Sequence, residues 1–554
     1  MWSQNYDPLG NPWLSTLLAA VPVVVLLGGL GIIQMKAHIA AVLGLIAALA
    51  IAILVFGMPA PMAGRAAMYG AMFGLLPIGW IIFNLIFLYR LTQEAQLFTI
   101  LQDSIANVTD DRRLQLLLIA FAFGAFFEGA AGGGTPVAVT GAILMGLGFP
   151  PLAASGLSLI ANTAPVAYGG LGTPILTLQS VTGLDLMKLS GMVGRQLPFF
   201  SVLVPIWLVW AFAGYRGMVQ VLPAILVSGV SFAIAQFFMS NYNGPLLVDV
   251  VSAMVSMISL AVFLRFWSPE HVWVNAATRT DATIPRAEAA QRRQAHAHPP
   301  ELVWRAWMPW LILTVLVFIW GLPFVKAFLN DLGSMKIPID GLDKMIQRVP
   351  PVVAPGTKPE AAVFFFNYLS VPGTGLLLAA IIAGLAMKIP FGRMVKIYGE
   401  TFVTMRYSFI TIAAMLALGY TTRYSGMDAT LGLAFAHAGW FYPFFGTLIG
   451  WVGTALTGTD AASNALFGSQ QKITAEQLGL PPYLMTAANS SGGVMGKMID
   501  AQSIVVASIA TNYHGREGEI LRYVFFHSIA LASLVGVLVM LQAYVWPFTE
   551  MVFK

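Results

Sequence analysis

Residues 128–136 read EGAAGGGTP, a carboxylate followed by small residues, a hydroxyl and a proline. The stretch is set between two strongly apolar runs, LQLLLIAFAFGAFF at 114–127 and VAVTGAILMGLGF at 137–149. Glycines and a proline loosen or end a helix, and a buried carboxylate is costly. A membrane helix that should continue here is interrupted, and the interruption calls for a polar lining.

The surrounding chain supports that reading. Of 554 residues, 58% are hydrophobic and only 10% are charged. A soluble domain carries about 25% charged residues. Windows such as 14–34 and 38–57 match the ~20 apolar residues needed to cross a ~30 Å hydrocarbon core. The net charge of +5 is spread over short loops as topogenic Lys and Arg, which argues against a nucleic-acid footprint. With no cysteine, disulfides and thiolate metal sites are excluded. The N-terminal MWSQNYDPLGNPW lacks the basic start of a signal peptide.

Charge placement orders the segments. The Lys- and Arg-free residues 1–13 are expected outside, while Lys36, Arg90, Arg112, Arg113, Arg216 and Arg265 are expected inside. Residues 278–300, TRTDATIPRAEAAQRRQAHAHPP, read as a cytoplasmic linker. Residues 331–360 are expected outside, and Lys388, Arg393 and Lys396 inside again.

Shifting the chain by 327 residues pairs Asn162 with Asn489, Gly169 with Gly496, Gly191 with Gly518, Arg195 with Arg522 and Ser201 with Ser528. A shift of 332 brings Glu128 onto Asp460. An odd number of crossings separates the copies, so the second is expected to be inverted, as in secondary transporters whose site lies where the repeats meet. Each half holds two breaks: EGAAGGGTP and ANTAPVAYGGLGTP (161–174) in the first, TGTDAASNALFG (457–468) and ANSSGGVMGKMIDAQS (488–503) in the second.

The expected fold is an all-α polytopic membrane protein with about 12 transmembrane helices plus two re-entrant hairpins in two inverted-topology repeats. Its expected division starts with an external N-terminus (1–13). A first repeat (14–215) has hairpin tip 128–136 and broken helix 151–180. Connecting helices (216–266), the linker (267–303), a membrane helix (304–330) and an external loop (331–360) follow. The second repeat (361–554) has hairpin tip 457–468 and broken helix 483–510.

Four breaks meeting at one depth make a polar chamber, since irregular backbone survives there only under protein or water. Half-helix N-termini offer N–H groups and a positive dipole end to a small anion. Candidate substrate ligands are Gly132, Gly134, Thr135, Asn162, Thr163, Ser463, Asn464, Asn489, Ser490, Ser491 and Lys497. Arg406 is a further candidate for the substrate carboxylate, unless it pairs with Glu400 or Asp460. Glu128, Asp460 and Asp500 are candidate proton carriers; each can instead tie neighbouring elements together, Asp500 by pairing with Lys497. Arg195 and Arg522 read as snorkelling side chains. His437 and His527 are either relays or simply hydrogen-bonded. Neither metal-ligand spacing, nor a nucleophile elbow, nor a dinucleotide motif is present, so no cofactor is expected.

Together FFEGAAGGGTPVAV, ANTAPVAYGGLGTPI, VGRQLPF, RYSGM, TGTDAASNALF and GGVMGKMIDAQSI resemble the L-lactate permease family of bacteria, which includes glycolate permeases. The resemblance implies proton-coupled uptake of L-lactate, D-lactate and glycolate at the inner membrane, with oligomerisation left open. It also implies paired hairpins, inverted repeats and an elevator-like domain, and carries Glu128, Asn162, Asp460, Asn464, Asn489 and Lys497 into the site. The chain departs from the family at two places. Gly133 and Thr135 stand where the family has Phe and Ala, and Asp500-Ala501 where it has Ser-Pro. Open alternatives are a sodium-coupled dicarboxylate transporter, a membrane-embedded enzyme and a channel.

Overall fold

The computed structural model describes every residue except 32, 34, 107, 131, 133, 134, 275–282, 285–297, 354, 514, 515 and 554. Most of the expected linker therefore lies outside the described residues. The chain is mostly helical. Among the described residues, nine helices are long and apolar enough to cross a membrane, and the protein is a multi-pass membrane protein. Several further apolar helices are shorter, and two of them, Pro136–Gly146 and Pro151–Ala161, adjoin breaks visible in the sequence.

In chain order the first helices are α1 (Pro12–Gly31), α2 (Ala37–Leu54) and α3 (Ala60–Phe73), which runs through a π-helical turn at Gly74–Gly79 into α4 (Trp80–Glu94). After α5 (Leu97–Ala106) comes the first hairpin: α6 (Arg112–Leu116), a π-helical stretch Leu117–Phe123, α7 (Gly124–Ala130) and α8 (Thr135–Gly146). The first broken helix is α9 (Pro151–Ala161) followed by α10 (Gly169–Thr182). Next are α11 (Leu186–Val193), α12 (Leu197–Gln220), α13 (Leu222–Tyr242), α14 (Val248–Phe266), α15 (Pro300–Gly321) and α16 (Pro323–Leu332).

The remaining part opens with α17 (Pro372–Ala386), α18 (Phe391–Ser425) and α19 (Met427–Phe435). A second hairpin pairs α20 (Tyr442–Thr457) with α21 (Asp460–Gln477). A second broken helix pairs α22 (Pro482–Gly496) with α23 (Ala501–Ala510), and α24 (Glu517–Tyr544) follows. The matching FPP and LPP motifs place a proline in the first turn of α9 and of α22, where its missing N–H costs nothing.

Short strands, absent from an all-α expectation, stitch the loops. Trp2–Ser3 pairs with Ile346–Gln347, and Met335–Pro338 with Val363–Phe366. The first pairing sets the N-terminus and the loop 331–360 side by side on one face. On the same face Glu360 accepts from Arg423 at 3.0 Å. Arg393 pairs with Glu94 at 2.8 Å, and Asp103 with His298 at 2.9 Å, on the opposite face. The 35-residue α18 joins the two faces. At ~1.5 Å per residue it is about 52 Å long and overshoots the hydrocarbon core at its ends.

The span Arg112–Ala130 is 100% buried, whereas Leu222–Tyr242 is only 39% buried and turns Phe238 and Ile234 outward. The first hairpin is thus lined by protein, and the outer helices face lipid. Glycines let the innermost helices touch. Gly446 and Gly450 on α20 pack on Met485 and Asn489 of α22, and Gly492 and Gly496 on α22 pack on Thr447 and Trp451 of α20, two small-xxx-small rows that bring backbones together. A Cβ on Gly450 would overlap the Asn489 carbonyl, and one on Gly492 the Thr447 carbonyl.

Gly450→Ala should therefore lower stability by about 1–3 kcal/mol, the usual cost of overpacking. Gly64→Ala, whose Cβ would meet nothing within 4 Å, should not. Thermal unfolding of the detergent-solubilised variants checks the contrast.

Candidate functional site

The two hairpin tips and the two breaks border one cavity of about 290 Å³. That is roughly ten water volumes at ~30 Å³ each, room for a small solvated anion. Its lining includes Glu128 and Gly132 from the first tip, Thr457, Thr459 and Asp460 from the second, Gly169, Gly170, Thr173 and Thr177 from the first break, and Lys497 from the second. The π-helical turn adds Ile78, and one face of α18 adds Met405, Ser408, Thr411, Ile412 and Met415.

The breaks are backbone events. Gly170, Leu171 and Gly172 are left-handed in succession (φ 52°, 56° and 70°) ahead of the right-handed part of α10. A Cβ on Gly169 would overlap Glu128 Oε1, so only glycine lets the carboxylate approach here. In the second broken helix α22 ends in a tight turn over Lys497–Ile499, and extended Asp500 (ψ 137°) restarts the chain as α23. The second tip is shorter than the sequence reading had it. Thr459 accepts from the Ala462 N–H and starts α21 at Asp460, so 461–468 are helical. That N-terminus, with its free N–H groups, opens onto the cavity.

Glu128 is buried and accepts from Asn162 Nδ2 at 3.1 Å. Asp460 is buried and accepts from Ser490 Oγ and, at 3.4 Å each, from Thr454 Oγ1 and Asn464 Nδ2. An amide chain backs it. Gln471 donates to Asn489 Oδ1 at 3.2 Å, and Asn489 to Asn464 Oδ1 at 2.9 Å. Asn464 in turn donates to the Pro174 carbonyl at 3.1 Å, across to the first half. Ser463 donates to the Gly450 carbonyl at 3.1 Å, and Thr163 to its own Ile160 carbonyl at 2.8 Å. Ser491 is buried with an unpaired hydroxyl among the described residues. Lys497, the one cation among the described lining residues, donates to the Gly458 carbonyl at 2.6 Å and pairs with Asp500 at 3.2 Å.

Not every expected residue is brought together. Gly134 lies outside the described residues, as does the Thr135 side chain. Arg406 is not part of the cavity. It is exposed on α18, and its guanidinium stacks 4.8 Å from the Tyr407 ring centroid, while its neighbours Met405 and Ser408 face inward. It pairs with neither Asp460 nor Glu400, whose partners are Arg90 and Arg393. His437 bonds the Ala434 carbonyl at 3.1 Å, and His527 accepts from Trp207 at 2.9 Å, both away from the cavity. Sequence reasoning passed over Thr173, Thr177, Ser408 and Thr411. The last two recur at helical spacing with Met405 and Met415, a polar stripe on an apolar helix.

A family model described as L-lactate permease matches residues 15–546. The chain belongs to the L-lactate permease family. It is 45% identical to the glycolate permease GlcA of Escherichia coli over 98% of both chains. It is 42% identical to an L-lactate permease of Salmonella typhimurium, again over 98% of both. Similarity to the YdaH transporter structure of Alcanivorax borkumensis is slight, with 13% identity and a TM-score of 0.41 over 97% of this chain and 98% of that one. Members of this permease family are transporters, not enzymes. Asp500 caps α23, accepting from the Ser503 N–H at 2.8 Å, and its charge is met by Lys497.

Removing one partner of that buried pair strands the other. Lys497→Met alone should cost about 3–5 kcal/mol, and the double variant Lys497→Met/Asp500→Asn clearly less. Comparing their unfolding temperatures checks this.

Proposed function

We propose that the protein is a proton-coupled symporter that carries L-lactate, and the related 2-hydroxy-monocarboxylates D-lactate and glycolate, inward across the bacterial inner membrane. The observation that carries this reading is charge balance. Glu128, Asp460 and Asp500 share one buried neighbourhood with a single cation among the described residues, Lys497. Fully ionised, that set is already net negative, and an entering monoanion adds to it. Desolvated like charges are so costly that the anion enters together with a proton held on one of these acids.

Residues take roles accordingly. The substrate carboxylate faces the N-terminus of α21 and Lys497, with Gly132 and Thr173 completing the cradle. Asn162, Thr163, Ser463, Asn464, Asn489, Ser490 and Ser491 form the polar shell behind it. Glu128 is the coupling acid nearest the first break, with Asp460 and Asp500 as further carriers.

The fold reading that goes with this is two inverted repeats, 14–215 and 361–554, with re-entrant hairpins, on either side of the connecting segments 216–360. Support comes from the breaks themselves. Gly170–Thr173 and Lys497–Asp500 are related by the same shift of 327 that aligns Asn162 with Asn489. Each broken helix also packs its second half on the other half's hairpin, α10 on α21 and α23 on α8. That exchange encloses a site at the repeat interface.

Uptake of labelled L-lactate into proteoliposomes tests the reading. Wild type should accumulate lactate with an inward proton gradient, faster as external pH falls, and only equilibrate without one. Glu128→Gln should keep lactate exchange and lose accumulation. Accumulation by wild type that ignores the proton gradient would overturn symport.

A further inference from the structure

Asp249 lies in the first turn of α14, outside the cavity lining and outside the polar shell. It is only 1% exposed, and neither carboxyl oxygen has a hydrogen-bond partner among the described residues. The other buried acids are provided for. Asp111 chelates Arg113, Asp428 accepts from Ser469 and the Ala429 N–H, Asp460 accepts three side-chain donors, and Asp500 holds Lys497 and caps a helix. An orphan carboxyl in a membrane interior asks for a reason.

Its position supplies one. α14 packs along α7, and a Cβ placed on Gly129 would come within 2.7 Å of Asp249 Cβ. Gly129 is the residue next to Glu128, so the contact sets Asp249 against the segment of α7 that carries Glu128. The groups around the pair are Tyr168, whose hydroxyl donates to the Ser190 carbonyl at 2.7 Å, and, on the cavity side of Glu128, Lys497 and Asp500. No cation bonds Asp249 itself. The start of α14 presents its positive dipole end there, so the group has support as an anion and, in an apolar setting, as a neutral acid. Two carboxyls in one dry region hold one proton between them more readily than none.

We infer that Asp249 is a second proton carrier of the transport cycle, receiving the coupling proton from Glu128 on the side away from the substrate. The inference rests on the symport reading. The two carboxyls share no hydrogen bond here, so the proton passes through a bridging water: an O–H bond breaks at Glu128 as one forms on the water, and the water gives one of its own protons to Asp249, while the negative charge moves the other way.

The test is gradient-driven lactate accumulation and lactate exchange in proteoliposomes for wild type, Asp249→Asn and Asp249→Glu. Asn has the shape of the neutral acid and cannot release a proton. Asp249→Asn should exchange lactate but lose accumulation to the level reached without a gradient, and Asp249→Glu should recover part of it. If wild type responds to the gradient and Asp249→Asn accumulates equally well, the inference falls and symport stands. If wild type ignores the gradient, both fall. Should Asp249→Asn fail to assemble, infrared difference spectra of wild type and Asp249→Glu between acid and alkaline buffer decide. A protonated-carboxyl band that Asp249→Glu shifts supports the inference, and a band unchanged by it overturns it.

Discussion

The price of burying negative charge governs this protein. Glu128, Asp249, Asp460 and Asp500 are all within a few per cent of full burial, and Lys497 is the buried cation set among them. Hydrogen bonds from Asn162, Ser490, Thr454 and Asn464 carry part of that load. On the proposed reading, occupancy of the site by an anion and by protons is linked, because each alters the cost of the other. The same balance makes the hydroxyls and amides of the shell more than a lining: they let a carboxylate stay buried without a permanent counter-ion.

Backbone geometry makes that arrangement accessible. Left-handed residues at the first break and the capped restart at Asp500 interrupt helices where an unbroken helix would have filled the cavity with side chains. Glycines at 169 and 493 sit where a Cβ would strike a carboxylate oxygen of Glu128 or Asp460. Glycine rows on α20 and α22 draw the second hairpin against the second broken helix. Irregular backbone at this depth is tolerable where protein or the cavity covers it; the span is buried from Arg113 to Ala130.

Much of this was legible in the sequence, because glycine, proline and carboxylate in apolar surroundings are expensive and therefore informative. Glu128 and Asp460 stand out for that reason and Lys497 through the family resemblance, and all three line the cavity. The second tip was drawn too long since Ala461 to Gly468 contains small polar residues that suit either a loop or a capped helix; the Thr459 cap decides for helix. Arg406 misled because composition says nothing about which way a helix is turned, and α18 presents Ser408 and Thr411 to the cavity instead. Asp249 escaped notice because it opens a helix, where an acid is ordinary. Only packing against Gly129 shows it beside Glu128.

The claim that anion and proton occupy the site together is tested most directly at equilibrium. Calorimetric titration of purified protein with L-lactate, repeated in buffers of different ionisation enthalpy, reads the protons exchanged on binding. The account predicts net proton uptake with lactate binding, falling away in Glu128→Gln. Binding of the same strength with no proton uptake at any pH would contradict it.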